Sequence, residues 1–266
     1  MRYLDKLSIT VVLGSIITLS GIQSAAALSF IEREPTQTSQ TTPDSFDNYY
    51  SQGLTSLDQQ EDTQSELDTY SQAIKREPNN PTAYYNRGVT QSELGNFLDA
   101  IEDYSQAITL NPDYMAAYYN RANARHQLRD FQGAIDDYTQ AISLNPNYAV
   151  VYNNRGLTRL RLGDFQGAVE DYTLAINLNP KDATVFSNRG AALNELGDAE
   201  AAIEDYTQAI LLNPNYAPAY YNRGVLRNQL GDAQASLRDF QQAADLAQEQ
   251  GNNALYEKVQ SVMTTL

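Results

Sequence analysis

The 266-residue chain has no cysteine, a single histidine and, among its 18 basic residues, only four lysines. Without cysteine there are no disulfides, no thiolate metal sites, no cysteine nucleophile and no lipidated N-terminal cysteine. One histidine cannot form a His/Cys cluster at metal spacing, and neither a phosphate-binding loop nor a nucleophile elbow is present. Positive charge is scarce too: 18 Lys and Arg stand against 33 Asp and Glu, a net charge of −15. Neither nucleic acid nor an anionic lipid surface is a natural partner for such a chain. The bases that remain are mostly arginine, which favours placed, forked contacts over a diffuse positive coat. These absences predict a protein that is not an enzyme, with no cofactor, no metal and no small-molecule substrate.

Long apolar runs are also missing, with one exception. Leu7–Ile22 is 16 residues long, carries five Ser or Thr, and is preceded by Arg2 and Lys6 and followed by Ala25-Ala26-Ala27. A spanning helix needs about 20 apolar residues, so residues 1–27 read as an export signal cleaved near Ala27. The alternative is an uncleaved anchor through residues 7–28, which would give the protein its one membrane contact. The protein is then expected outside the cytoplasm, in a periplasmic or other lumenal space. Residues 28–48 are rich in Thr, Ser, Gln and Pro and read as a flexible linker.

What the chain has in abundance is repetition. YYNRGVTQSELGNFLDAIEDYSQAITLNPDY (Tyr84 to Tyr114) returns with small edits from Tyr118, Tyr152, Phe186 and Tyr220, each 34 residues on. With position 1 at Pro81, units occupy 81–114, 115–148, 149–182, 183–216 and 217–250. Position 4 is aromatic, position 8 is Gly or Ala, and position 14 is Leu. Position 15 is Gly except for Arg129, where a helix C-cap needs a left-handed residue. Asn or Asp at position 16 starts a second helix. That helix runs through Ala (once Ser236) at 20, an aromatic at 24, Ala at 27 and Leu at 30, and Asn-Pro stops it in all but the last unit. Each unit is therefore a pair of antiparallel helices, with small residues allowing close approach and aromatics at 4 and 24 filling the space beside them. Leu at 14 is expected to add to that apolar packing.

This pattern resembles the tetratricopeptide repeat (TPR). A degenerate first unit spans 49–80, with Glu66 where Ala is expected, and residues 251–266 form a capping helix with Leu255, Val259, Val262, Met263 and Leu266 on one stripe. The resemblance implies an all-α, right-handed solenoid of six two-helix repeats with a C-terminal capping helix. The sequence departs from the family at position 7, which is Arg instead of apolar, and at position 11, where Gln91, Arg125, Arg159, Leu193 and Arg227 replace an aromatic.

Position 7 (Arg87, Arg121, Arg155, Arg189, Arg223) is matched in every unit by Asp at 23 (Asp103, Asp137, Asp171, Asp205, Asp239), and the degenerate unit lacks both together. Joint loss predicts structural ion pairs, partly buried and repeated up the stack. The neighbouring acids at 22 are expected to form a solvated face, since adjacent helical residues point about 100° apart.

The resemblance further implies a concave groove lined by the first helices. There the sequence offers Tyr85, Tyr119, Asn153 and Tyr221 at position 5, and Asn86, Asn120, Asn154, Asn188 and Asn222 at position 6. Val89, Asn123 and Leu157 stand at position 9 and His126 at position 12, where a surface substitution is the reading and a catalyst is not. Tyrosines suit protein recognition. The asparagines resemble the backbone-binding amide ladder in the repeats of O-linked N-acetylglucosamine transferases, or they satisfy local backbone groups. The family's clamp for a C-terminal carboxylate needs Lys and Asn at positions 5 and 9, and its Lys is absent here. The expected function is a non-catalytic scaffold holding a peptide or protein segment, for assembly or tethering of envelope complexes. The alternative is a self-associating module stacking through its terminal repeats.

Overall fold

The computed structural model describes residues 60–264, which contain twelve α-helices and no strand. The signal, the linker and the start of the degenerate unit lie outside the described residues. In chain order the helices are α1 (Gln60–Arg76), α2 (Pro81–Glu93), α3 (Phe97–Leu110), α4 (Met115–Gln127), α5 (Phe131–Leu144) and α6 (Ala149–Leu162). They continue as α7 (Phe165–Leu178), α8 (Ala183–Glu195), α9 (Ala199–Leu212), α10 (Ala217–Gln229), α11 (Ala233–Glu249) and α12 (Asn253–Met263). No described helix is long and apolar enough to cross a membrane.

Helix ends follow from local chemistry. Asp130, Asp164, Asp198 and Asp232 each accept a backbone N–H three residues on, capping α5, α7, α9 and α11. Asn96 corrects the general expectation: its amide donates to Gln91 Oε1 at 2.9 Å and leaves α3 without a side-chain cap. At the other end of the first helices the chain turns through positive φ, supplied by glycine in four units and by Arg129 at φ 62° in the fifth.

Each helix packs on the next, and the first helices of successive units also touch: α2 with α4, α4 with α6, and α6 with α8. The first helices therefore crowd toward one side, which is the inner face of the stack. Ala at positions 20 and 27 is fully buried in the clusters between helices. A Cβ on Gly88 would stand 2.8 Å from the Tyr104 ring, so position 8 must stay small for that ring to lie flat against α2. Position 14 is a correction. Leu128, Leu162, Leu196 and Leu230 are 42–53% exposed at the helix ends and fill no core.

At the N-terminal end α1 keeps the second-helix packing of a unit. Its misplaced acid is buried, and Thr90 Oγ1 donates to Glu66 Oε2 at 3.2 Å. At the far end α12 lays Leu255 and Val259, both fully buried, against Phe240, Ala243, Ala244 and Ala247, with Val262 and Met263 beside them. That helix covers the apolar face the last unit would otherwise show to water. Leu266 lies outside the described residues.

Candidate partner-binding face

The recurring arginine at position 7 uses its whole fork. Arg155 Nε and Nη2 donate to Asp171 Oδ2 and Oδ1 at 2.9 and 2.6 Å, and Arg121 meets Asp137 at 2.8 and 2.7 Å. Arg87 with Asp103, Arg189 with Asp205 and Arg223 with Asp239 repeat this two-bond geometry. The third nitrogen reaches back to the preceding unit, to Ser71, Ser105, Thr139, Thr173 and Thr207 in turn. Each guanidinium also lies 5.6–5.9 Å from the centre of the position 4 ring of its own helix. One side chain thus ties three helices. The Asp103 bond raises the Arg87 pKa, and burial raises the Asp103 carboxyl as well, against the lowering pull of the same bond.

The hydroxyl at position 25 was open to view in the sequence. Ser or Thr stands there in every unit that has a successor, Ser71 in the degenerate unit included, and the last unit has Gln241. A hydroxyl kept only where another arginine follows serves that next arginine.

At positions 5 and 6 the tyrosines and three of the asparagines correct the groove expectation, while Asn153, Asn154 and Asn188 are half-buried. Tyr85, Tyr119 and Tyr221 are 1%, 4% and 8% exposed, and Asn86, Asn120 and Asn222 are equally buried. The tyrosines stack inside, Tyr85 on Tyr104 and Tyr114, Tyr119 on Tyr138 and Tyr148, and Tyr221 on Phe240. The amides point backward along the stack. Asn120 Nδ2 donates to Tyr85 Oη at 3.0 Å, Asn154 Nδ2 to Tyr119 Oη at 3.0 Å, and Asn188 Nδ2 to Asn153 Oδ1 at 3.1 Å. The ladder is real as a series of bonds, but those bonds join repeat to repeat. Asn86 Nδ2, at the start of the series, is buried with no bond. Burial raises the Tyr119 hydroxyl to about 12 against the bonds from Asn123 and Asn154, so it stays a neutral hydroxyl.

The layer that reaches solvent on the inner face lies one turn farther along each first helix. Val89, Asn123, Leu157, Ala191 and Val225 at position 9 are half-buried, as are Ser92, His126 and Asn194 at position 12, while Asn228 is exposed and Leu160 is buried. Asn123 Oδ1 accepts from Tyr138 Oη at 2.6 Å and from Asn154 Nδ2 at 3.4 Å. His126 is not a plain surface residue. Its Nδ1 lies 2.9 Å from Thr158 Oγ1 of the next unit, whose own proton goes to the Asn154 carbonyl, so the imidazole donates and Nε2 carries the lone pair. Burial, with Arg161 adding to it, lowers its pKa to about 4. The ring is neutral at pH 7. Among the described residues no group of three or more His, Asp or Glu is placed to hold a metal. The face is a shallow, mixed apolar and amide surface, able to accept an extended or helical segment through contact and hydrogen bonds.

Comparison with known proteins agrees with this geometry. A family model described as the tetratricopeptide repeat matches residues 81–114, 116–148 and 149–182, a second described as a TPR repeat matches 192–231, and another tetratricopeptide repeat model matches 217–250. The human "small glutamine-rich tetratricopeptide repeat-containing protein beta" is 51% identical over 37 residues, which is 14% of this chain and 12% of that protein. Among solved structures, MamA superposes with a TM-score of 0.60 at 21% identity, over 62% of this chain and 96% of MamA. YrrB, described as "a TPR protein with an unusual peptide-binding site", gives 0.60 at 21% identity over 72% of this chain and 98% of its own. PilF of Pseudomonas aeruginosa gives 0.65 at 18% identity, over 81% and 96% respectively. At such identities the likeness is one of fold. The matched repeats cover more than half of the sequence, and the chain belongs to the tetratricopeptide repeat family.

Proposed function

We propose that the protein is a non-catalytic interaction scaffold that holds a peptide or protein segment of a partner along its inner face. The observation that carries this reading is the division of labour within each first helix. Positions 5, 6 and 7 go to burial and to bonds that build the stack. Positions 9 and 12 lie on the same side of the first helices, differ from unit to unit and, Leu160 apart, keep solvent contact. Side chains that vary on a fixed frame are how a repeat array selects one partner among many. The peptide-binding neighbour YrrB lends support at the level of fold.

The export signal read in residues 1–27 sets the proposed workplace outside the cytoplasm, where the scaffold serves assembly or tethering of envelope complexes. The net charge of −15 makes a protein the natural partner there. The test is selection of a random peptide library on the intact protein, repeated with Leu157→Glu and Val225→Glu together. Peptides retained by the parent and lost by the double variant, with helical content unchanged by circular dichroism, are the expected result. Equal retention by both proteins sinks the inner-face reading.

A further inference from the structure

We infer that Arg129 and Arg161 form a receptor for an acidic side chain of the bound segment, a carboxylate-binding spot in an otherwise negative molecule; this rests on the inner-face reading above. Three departures from the repeat's own pattern meet at this place. Position 15 is Gly in the other four units and Arg129 here. Position 13 is Glu93, Gln127, Glu195 or Gln229 elsewhere and Arg161 here. Position 12 is His only in this pair of units, as His126. Arg129 follows the C-terminal end of α4 and Arg161 lies in the last turn of α6, on neighbouring first helices. Both are exposed.

The other arginines of these units are already answered. Arg125 bonds Asp137 at 2.8 Å and Arg159 bonds Asp171 at 3.0 Å, while Arg121 and Arg155 are held in their forks. The side chains of Arg129 and Arg161 take part in no ion pair or hydrogen bond among the described residues. His126 of α4 lies 2.9 Å from Thr158 of α6, and Arg129 and Arg161 each follow three residues on, so the two come at the same end of neighbouring helices; the Arg129 charge, after burial, lowers the Arg161 pKa. Arg129 also holds a left-handed φ of 62°, a conformation that a side chain adopts at a cost and glycine does not.

A third unanswered donor lies in the same unit as Arg161. The Tyr172 hydroxyl is buried without a bond, within range of the Arg161 charge. Its counterparts bond inner-face residues, Tyr138 with Asn123 and Tyr104 with Ser92, but Leu157 and Leu160 occupy those positions in the Tyr172 unit. Two guanidiniums, both donors, stand at neighbouring helix ends without an acceptor among the described residues. A carboxylate is the group that two guanidinium forks bind best in a protein segment. Beyond about 8 Å the surrounding acids are screened at physiological ionic strength, so this local pair decides what docks on it.

Arg129→Gly and Arg161→Gln are suitable probes, because each installs a residue that sibling units already carry and the fold is thereby kept. The probes for binding are a labelled peptide of alternating Glu and Ala, its Gln–Ala counterpart, and inorganic phosphate as competitor, measured by fluorescence anisotropy on the intact protein at low ionic strength. The expected result is saturable binding of the Glu peptide, weak binding of the Gln peptide, and a loss of about tenfold in the double variant. Equal binding of both peptides, or a double variant within twofold of the parent, overturns the inference. Phosphate binding without Glu-peptide binding overturns it too, by assigning the pair to another ligand. If the double variant still retains the library-selected peptides, the carboxylate spot falls and the inner-face reading stands; if Leu157→Glu with Val225→Glu also changes nothing, both fall.

Discussion

A single side chain, the arginine at position 7, explains most of how one unit recognises the next. Its two bonds to aspartate close a unit, its third bond reaches the hydroxyl of the unit before, and its flat face covers an aromatic ring. The depth of the pair varies. Arg155 and Asp171 are 11% and 1% exposed, whereas Arg87 and Asp103 are 26% and 5% exposed. Removing one partner of a buried pair strands the other charge, so Arg155→Ala is expected to cost about 3 kcal/mol. Arg87→Ala, nearer water, is expected to cost about 1 kcal/mol. Urea unfolding of the two variants checks the order as well as the size. His126 supplies a second prediction at this scale. Its folded pKa of about 4 lies below the ordinary 6.5, so the unfolded chain takes up its proton first as acid is added. Its contribution to stability is whole above about pH 6.5 and lost as pH falls toward 4. His126→Asn, which cannot titrate, should therefore lose less stability than the parent between pH 7 and pH 5 in paired urea titrations.

At the scale of the helix, the 34-residue period, the glycine ends and the Asn-Pro stops were enough to read a pair of helices per unit. Less legible was which of two adjacent aromatics goes inside. Tyr84 and Tyr85 differ by about 100° around the helix, and a first helix in a stack is covered by its own partner and by the helices of the unit before it. Apolar residues on neighbouring faces are then both partly hidden, and periodicity cannot rank them. In the structure Tyr85 is buried to 1% while Tyr84 lies half-buried under Arg87. Asn86 and its counterparts were ambiguous for the same reason, because an amide one turn from the inner face can bond a partner or the preceding repeat. The direction of the 3.0 Å bond from Asn120 to Tyr85 decides it, and no single unit read alone contains both residues. The capping helix offers a test at this scale. Leu255→Ala is expected to cost about 2–4 kcal/mol, and in a stack held by neighbour contacts that loss should stay local. Hydrogen exchange should quicken in α12 and α11 and stay at parent rates in α2 to α5. Uniform acceleration would show one cooperative unit instead.

For the molecule as a whole, the fold leaves function to whatever the frame does not use. The frame consumes the arginines at 7, the asparagines at 6 and the small residues at 8, 20 and 27, and these recur nearly unchanged. The inner face keeps Leu157, Val225, Asn123 and His126 partly open, and the second helices keep their own exposed leucines, Leu98 at 73%, Leu211 at 67% and Leu237 at 49%. Those two sets make the inner-face claim directly measurable. Hydroxyl-radical footprinting of the intact protein, with and without a library-selected peptide, reports the solvent access of each side chain. Protection of Leu157, Val225 and His126, with Leu98, Leu211 and Leu237 oxidised at parent rates, is the predicted result. Protection of the second-helix leucines with the inner face unchanged would contradict it.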